Sequence, residues 1–220
     1  MRKNFVCIFA HPDDEVFGPG GSIAMFAKTY NVYILCATRG EAGKKNGEQD
    51  LGKIRETELL RSARILGVKK VFFLDFKDGT LSNNLYHKLA EKIKAKLEEL
   101  RPEIILTFEP LGISGHIDHI TVSLVTAYVF ELLPFVKKLL RYCQTKKNIK
   151  IMKKIRKEYF IYRPDGYDLK DIGLVNDVST TWKTKVRAML EHKSQIHDIR
   201  WILSFYEKLP RKEYFLVMKK

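Results

Sequence analysis

The sequence predicts an α/β fold in which helices cover both faces of a mainly parallel sheet, a Rossmann-like three-layer sandwich. Short apolar runs alternate with amphipathic helical patterns through the first half of the chain, which is typical of β-α units. The second run, 32–37, is almost purely apolar, as expected for a central strand that is covered on both faces. With 220 residues the chain is long enough to bury one sizeable core, so we expect a single domain over residues 1–220.

The first half is predicted to contain four strands joined by helices. The glycine pair Gly20-Gly21 opens the first helix, and Gly67 ends the second, since glycine is favoured just after a helix. The third helix has an apolar residue at every fourth position from Leu85 to Leu97. The predicted strands are 4–9, 32–37, 70–74 and 103–108, and the predicted helices are 18–28, 54–66 and 85–100.

The second half begins with a helix predicted over 117–133, which Pro134 ends. A basic segment at about 131–157 follows, and its apolar residues among many lysines predict an amphipathic helical insertion. Thr180 or Thr181 is expected to cap a helix that runs to Leu190. Strands are predicted at 159–162, 174–178 and 213–218, with a last helix at 199–206.

The charge of the chain is strongly positive. Forty Lys and Arg stand against 26 Asp and Glu, a formal net charge of +14, and the stretch 132–157 contains no acidic residue. Such a segment indicates nucleic acid, an anionic membrane surface or an anionic substrate as partner, and it is equally typical of a solvated helix face. Because no nucleic-acid-binding motif accompanies the charge, nucleic acid is the less favoured partner.

The expected location is the cytoplasm. Lys, Arg or Glu interrupts every apolar stretch before it reaches the length of a membrane span. The N-terminal apolar run ends in a charged cluster instead of a signal-peptide cleavage site. The cysteines, Cys7, Cys36 and Cys143, are too few and too scattered for a disulfide framework.

Two histidine motifs follow predicted strands. Residues 10–15 (Ala-His-Pro-Asp-Asp-Glu) come after the first strand, and residues 115–119 (Gly-His-Ile-Asp-His) come soon after the fourth. Parallel strands place their ligand sites at one shared edge, so the motifs are expected to meet there. Crowded carboxylates repel one another, and a divalent cation stabilises them. His11 and Asp14 could reach one ion from a single turn, with a histidine of the second motif as third ligand of a catalytic zinc site.

These motifs resemble the LmbE-like or PIG-L de-N-acetylases, zinc enzymes that remove the acetyl group from N-acetylglucosamine-containing substrates. The resemblance rests on residues 10–15, 20–21, 38–43 (Thr-Arg-Gly-Glu-Ala-Gly), 55–56, 66–67, 115–119 and 192–195 (His-Lys-Ser-Gln), which lie in the family's order. It implies an LmbE-like version of the α/β fold. The basic segment matches no motif of the family.

The resemblance also implies the residues that carry the chemistry. His11, Asp14 and His119 would bind Zn²⁺, or another divalent transition metal that accepts imidazole and carboxylate ligands. Asp13 would be the general base that takes a proton from the attacking water. His116 would stabilise the oxyanion that forms from the amide carbonyl.

Further residues are implied around this centre. Glu41 and Arg55 would contact the substrate, although Arg55 is also typical of an ordinary first-turn helix residue. His192 would either contact the substrate at the edge of the site or cap a helix. Glu15 and Asp118 would hold metal ligands in their binding orientation, and the alternative for Glu15 is that it favours the N-terminus of the following helix. The implied partner is a small amino sugar or its conjugate, and homo-oligomers are common in the family.

Two other interpretations remain beside a soluble deacetylase. The chain could be a nucleic-acid or anionic-surface binding protein with a structural metal site, as its charge suggests. Alternatively, the basic segment could bring a deacetylase to an anionic or lipid-linked substrate.

Overall fold

The computed structural model of the chain describes residues 2–43, 50–155 and 165–220. Within these residues the strands form one seven-stranded sheet. The strands are β1 (Asn4–Phe9), β2 (Asn31–Cys36), β3 (Lys70–Phe73), β4 (Ile104–Phe108), β5 (Lys138–Cys143), β6 (Leu174–Asp177) and β7 (Lys212–Lys219). Their order across the sheet is β3-β2-β1-β4-β5-β7-β6.

The sheet is mainly parallel. The five neighbouring strands β3, β2, β1, β4 and β5 run in one direction. Beyond β5, strand β7 runs antiparallel to β5, and the edge strand β6 runs antiparallel to β7. The central strands β1 and β4 are buried almost along their whole length, as strands covered on both faces must be. The α/β fold with a mainly parallel sheet that the sequence predicts is therefore confirmed.

Helices form a layer on each face of the sheet. They are α1 (Asp14–Phe17), α2 (Gly20–Phe26), α3 (Leu51–Leu66), α4 (Tyr86–Leu100), α5 (Gly112–Gly115), α6 (Ile117–Leu132), α7 (Lys146–Ile155), α8 (Trp182–Met189) and α9 (Ile196–Tyr206). From β1 the chain moves outward through β2 to β3, and then from β4 outward to β5 on the other side. Because parallel crossovers are right-handed, α2 and α3 cover one face, and α4 and α6 cover the other. No helix in the described parts of the chain is long and apolar enough to cross a membrane.

Several boundaries have a clear local cause. Helix α3 begins at Leu51, three residues before its predicted start, because the Asp50 side chain accepts a hydrogen bond from the Lys53 N–H and caps it. It ends at Gly67, whose φ of 80° lies in the left-handed region. Thr181 precedes α8 as predicted, but its hydroxyl donates to the Gly21 carbonyl, 2.8 Å away, and makes no cap.

The basic segment contains a strand where the sequence predicts a helix. β5, Lys138–Cys143, pairs with β4 on one side and β7 on the other, so it is an interior strand of the sheet. The prediction of a helical insertion over 131–157 is wrong at these residues, because pairing with two distant strands overrides the local pattern. It is right for α7, where lysines are exposed while Ile149 and Met152 are buried.

Two predictions about the overall organisation are not tested. The strand predicted at 159–162 lies outside the described residues. The single domain over 1–220 also stays a prediction.

A buried ion pair connects β7, the last strand, to α8 and α2. The Lys185 Nζ lies 2.8 Å from Glu213 Oε1, and both side chains are almost wholly inaccessible to solvent. The Glu213 carboxylate also accepts the N–H groups of Gly21 (3.0 Å) and Ser22 (2.7 Å) in the first turn of α2. Burial lowers the pKa of Lys185, but the charge of Glu213 outweighs it and keeps the amine protonated.

We predict that Lys185→Met destabilises the protein by about 3 to 5 kcal/mol, because it leaves Glu213 buried without a counter-charge. The matched control is Lys183→Met on the exposed side of the same helix, expected to change the free energy of unfolding by less than about 0.5 kcal/mol. Urea unfolding of the three proteins measures the difference. Equal stability of the two variants would show that the pair contributes little.

Candidate metal centre

The two histidine motifs meet where the sheet changes its winding direction. β1 and β4 are neighbours, and the chain leaves them toward opposite sides of the sheet. This is the switch point at which open α/β sheets form a crevice outside the carboxyl ends of their strands. The loop after β1 carries His11, and the loop after β4 leads through α5 to His119 on the first turn of α6.

Three side chains converge in this crevice: His11, Asp14 and His119. The Nδ1 of His11 lies 3.1 Å from the Nε2 of His119, and that Nε2 lies 3.3 Å from Asp14 Oδ1. The second Asp14 oxygen is 3.8 Å from the His11 Nδ1 and accepts the His11 backbone N–H at 2.7 Å. One ligand atom from each residue fits within a span of 4.8 Å, which suits a single ion.

The remaining nitrogen of each histidine is held by an acceptor. The His11 Nε2 lies 2.9 Å from Asp78 Oδ1 and 3.2 Å from Asp118 Oδ2, so it carries a hydrogen. The His119 Nδ1 lies 3.1 Å from the Gly112 carbonyl, which likewise requires a hydrogen there. When both rings are neutral, the inner nitrogens, His11 Nδ1 and His119 Nε2, therefore carry no hydrogen. These two hydrogen-bond acceptors face each other beside the Asp14 carboxylate. A cation fits this donor set, and the outer hydrogen bonds are of the kind that orient metal-binding histidines.

The backbone that presents Gly112 is strained and firmly held. Ile113 has a φ of 68°, which is unusual for a β-branched residue. The Glu109 carboxylate accepts the N–H groups of Ile113 (2.5 Å) and Leu111 (2.8 Å), and Tyr167 donates its hydroxyl to it at 2.8 Å. The Gly112 carbonyl is thereby fixed at the position that orients His119.

A second group of possible ligands shares His11 with His116 and Asp118. The Asp118 carboxylate in this group is already engaged, since it accepts the N–H groups of Gly79 (2.9 Å) and Leu81 (3.2 Å) as well as the His11 ring. The His116 Nδ1 accepts the Asp118 N–H at 3.2 Å, at the start of α6. The geometry therefore favours His11, Asp14 and His119 as the ion-binding set, with Asp118 orienting His11.

The acidic neighbours of His11 favour a proton on its ring in the absence of an ion. Burial lowers the pKa of His11, but hydrogen bonds with Asp118 and Asp78 and the charge of Asp14 raise it to about 10. Burial and the charge of His11 hold the pKa of His119 well below its usual range, so its ring stays neutral. Burial raises the pKa of Asp14 to about 6 against the opposing charge of His11. A bound cation would take the place of the His11 proton.

Asp13 lines the same cavity and is paired with Arg55. Its φ of 94° lies in the left-handed region, and its N–H donates to Glu15 Oε2 at 3.0 Å. The Arg55 Nη2 donates to Asp13 Oδ2 at 2.9 Å and to the Pro12 carbonyl at 2.7 Å. Burial raises the pKa of Asp13 to about 7, even though the charge of Arg55 lowers it. Asp13 therefore has a proton affinity suited to acid-base chemistry near neutral pH.

Glu15 and His192 form a fully buried pair behind this loop. The Glu15 Oε1 lies 2.7 Å from the His192 Nε2 and accepts the Ser62 hydroxyl at 2.6 Å. Neither side chain has exposed surface, and His192 does not line the cavity. The predicted contact of His192 with the substrate does not agree with this burial. Glu15 holds His192 and the Asp13 backbone, and not a metal ligand as the sequence suggests.

The other implied substrate contacts differ in position. Arg55 lines the cavity, whereas Glu41 lies outside its wall and accepts the Asp78 N–H at 2.9 Å. Asp78 itself, which the motifs did not single out, both lines the cavity and contacts His11. The available signal was an acidic residue in the loop after a parallel strand, at the edge where the histidine motifs also lie.

The cavity over this centre has a volume of about 380 Å³. The polar end contains the three candidate metal ligands together with Asp13, Arg55, Asp78 and His116. The apolar end consists of aromatic and aliphatic side chains, most of them from the second half of the chain. The volume lies in the range of small-molecule binding sites.

Fold and site together define a Rossmann-like α/β protein with a candidate His/Asp/His metal centre at the carboxyl edge of its sheet. A family model described as "PIG-L: GlcNAc-PI de-N-acetylase" matches residues 6–130. The chain belongs to this PIG-L family. The resemblance read from the motifs is thereby confirmed.

Individual relatives support the same assignment. The chain is 31% identical over 216 residues to the diacetylchitobiose deacetylase of Thermococcus kodakarensis, covering 91% of this chain and 73% of that protein. It is 30% identical over 140 residues to a probable N-acetyl-alpha-D-glucosaminyl L-malate deacetylase 2 of Bacillus anthracis. That match covers 60% of this chain and 62% of the relative, which is less than two thirds of its length.

A solved structure has the same fold. The N,N'-diacetylchitobiose deacetylase from Pyrococcus horikoshii superposes with a TM-score of 0.74 over 99% of this chain and 84% of that one. The sequence identity is 23%, so the likeness concerns the fold.

We predict that His119→Ala loses the bound metal, while Asp13→Asn keeps about one equivalent, because His119 offers a ligand atom and Asp13 is paired with Arg55 outside the ligand group. Metal content after zinc loading and dialysis, measured by plasma mass spectrometry, tests this. Equal metal loss in the two variants would mean that the roles of ligand and base are assigned wrongly.

Asp78→Asn is expected to weaken zinc binding about 10- to 100-fold, because the charge that orients and polarises the His11 ring is removed. Asp75→Asn in the same loop is the matched control, since Asp75 pairs with Arg39 outside the cavity. Competition with a fluorescent chelator gives both affinities. If the two variants bind zinc alike, Asp78 does not support the metal centre.

Proposed function

We propose that this chain is a zinc-dependent hydrolase that removes the N-acetyl group from an N-acetylglucosamine-type amino sugar or conjugate. The observation that carries the proposal is the convergence of His11, Asp14 and His119, with Asp13 alongside, in the cavity of a PIG-L family chain. The names of the relatives support the substrate class, since they describe deacetylases of diacetylchitobiose and of a glucosaminyl malate.

Zinc is proposed from the chemistry of the ligand set. Two imidazoles and one carboxylate are a common catalytic zinc set, and they leave a position open for water or substrate. The same set also accepts iron, cobalt or manganese. When bound, the metal ion supplies a Lewis acid that activates water and polarises the amide carbonyl.

Asp13 is proposed as the group that moves protons. It would accept a proton from the attacking water as the C–O bond forms, and would deliver it to the leaving nitrogen as the C–N bond breaks. The products are acetate and the free amine. Arg55 would hold the Asp13 carboxylate in place through its hydrogen bond of 2.9 Å and limit the freedom of its side chain.

His116 is proposed as the donor to the oxyanion. Because its Nδ1 accepts the Asp118 N–H, the neutral ring carries its hydrogen on Nε2, and His116 lines the cavity. Burial and the nearby charge of His11 lower the pKa of His116, which favours this neutral donor. Removal of such a donor costs about 3 to 4 kcal/mol of transition-state stabilisation.

The remaining residues around the centre are proposed to act at different distances. Arg55 lines the cavity and is proposed to contact the substrate, while its Nη atoms also donate to Gly40, Pro12 and Asp13. Glu41 would act through Asp78, and His192 would act through Glu15, because neither lines the cavity. Glu15 and Asp118 complete the supporting hydrogen bonds.

We also propose that the basic segment anchors an anionic or lipid-linked substrate. Exposed lysines of α7, such as Lys147 and Lys150, lie on the helix that contributes Met152 to the cavity wall. The interpretation as a nucleic-acid binding protein gains no support from the cavity. A cytoplasmic location and a homo-oligomer stay predictions, to be checked by cell fractionation and by sedimentation.

We expect free-amine release from some members of a panel of N-acetylglucosamine compounds: the monosaccharide, diacetylchitobiose, malate and inositol conjugates, and an inositol-phospholipid conjugate. Release by the zinc-loaded protein should stop with chelator and fall about 100- to 10,000-fold in Asp13→Asn. Asp75→Asn serves as the control that keeps activity, because Asp75 lies outside the cavity.

The panel also tests the basic segment. A preference for the phosphorylated conjugate that is lost in Lys147→Glu/Lys150→Glu would support an anionic substrate, and unchanged rates would oppose it. Absence of release from every compound by protein with a full equivalent of zinc would overturn the proposed function.

A further inference from the structure

The apolar end of the cavity comes from a different part of the chain than the metal centre. Its wall consists mainly of Tyr142 in β5, Met152 on α7, and Trp201, Ile202, Phe205 and Tyr206 on α9. These residues lie beyond residue 130, where the match to the family model ends, whereas the apolar lining residues Phe17, Phe108 and Ile113 lie before it. Most of the apolar lining therefore comes from the second half of the chain.

One face of α9 is turned into the cavity. Trp201 and Ile202 precede Phe205 and Tyr206 by one helical turn, so the four residues form a continuous apolar surface. Among the residues of α9 that line the cavity, Asp198 in the first turn is the polar one, and Gln195 lines the cavity just before the helix begins. Farther along the helix, the side chains that line the cavity are aromatic or aliphatic.

The polar atoms at this end are bonded within the protein. The Tyr206 hydroxyl donates to the Phe17 carbonyl at 2.5 Å and receives a bond from the Lys185 Nζ at 3.2 Å. The Tyr142 hydroxyl accepts the Gln144 amide, whose oxygen accepts the Asn148 side chain at 2.8 Å. The rings of these two tyrosines therefore line the cavity, while their hydroxyl groups are hydrogen-bonded to other parts of the protein.

A hydroxyl-rich group is disfavoured in such surroundings. It would lose hydrogen bonds to water and find few partners, which is costly. An apolar group gains free energy there because its surface and that of the wall leave water together. The polar end, in contrast, has charged groups and suits the acetamide and the sugar hydroxyls.

We propose that this end of the cavity binds an apolar substituent of the substrate, an alkyl or aryl group on the amino sugar. The inference rests on the proposed deacetylase function for the position of the sugar, but its test is a binding measurement. The substituent could be the aglycone or an extended acyl chain, since both are attached near the reacting amide. The experiment separates these two sources.

Trp201 provides the signal. The chain has two tryptophans, and Trp182 lies outside the cavity, so Trp182→Phe leaves Trp201 as the only fluorophore of this type. Adding Asp13→Asn suppresses turnover of zinc-loaded protein. The probes are the methyl glycoside of N-acetylglucosamine, its butyl glycoside, and the methyl glycoside of N-pentanoylglucosamine. Diacetylchitobiose is the hydrophilic comparison.

Each extended probe adds three methylene groups to the methyl glycoside. We expect one of them to bind about 10- to 50-fold more tightly, the size expected when most of this added surface is buried. The gain should disappear in Ile202→Asn and persist in Leu203→Asn, because Leu203 is the neighbouring residue of α9 that does not line the cavity.

Tighter binding of the butyl glycoside identifies an apolar aglycone, and tighter binding of the pentanoyl compound identifies an apolar acyl chain. Equal affinity for the three glycosides, or a preference for diacetylchitobiose, overturns the inference. The comparison among probes does not depend on the folding of the α9 variants. The binding comparison also does not depend on catalysis. If no amine is released, the affinities of the probes can still be interpreted.

Discussion

Three hydrogen-bond acceptors, the inner nitrogens of His11 and His119 and the Asp14 carboxylate, face one another in a buried crevice, and much of the surrounding structure serves to hold them there. Acceptors in this arrangement repel unless a proton or a cation lies between them. The repulsion is overcome by hydrogen bonds on the far side of each ring, where His11 donates to Asp78 and Asp118 and His119 donates to the Gly112 carbonyl. Hydrogen bonds of this kind orient histidines for metal binding.

Buried charges tie distant parts of the chain to this centre. Arg55 on α3 holds Asp13, and Glu15 in α1 holds His192, which follows α8. Each pair satisfies a charge that would be costly to bury alone, and each joins the loop after β1 to a different element. The geometry of the reacting groups therefore depends on contacts across the whole domain, and not on the short motif that contains them.

The polar and apolar ends of the cavity come from different parts of the chain. Its polar end comes from loops within residues 6–130, the part that the family model matches, while its apolar end comes mostly from β5, α7 and α9. When reacting groups and substrate-selecting walls come from different parts of a chain, one α/β fold can serve different substrates. In this chain the basic helix α7 belongs to that wall through Met152. Its sequence therefore has a role in packing as well as in charge.

The sequence by itself determined the parallel sheet, most element boundaries in the first half, and the meeting of the two histidine motifs, because these follow from local periodicity and from the shared edge of parallel strands. Only the tertiary structure decided that Lys138–Cys143 is an interior strand, since its partners β4 and β7 lie far away in sequence. The same holds for the burial of His192 against Glu15 and for the contact of Asp78 with His11. A side-chain pattern encodes which face of an element is buried, whereas the identity of a distant partner depends on how the whole chain packs.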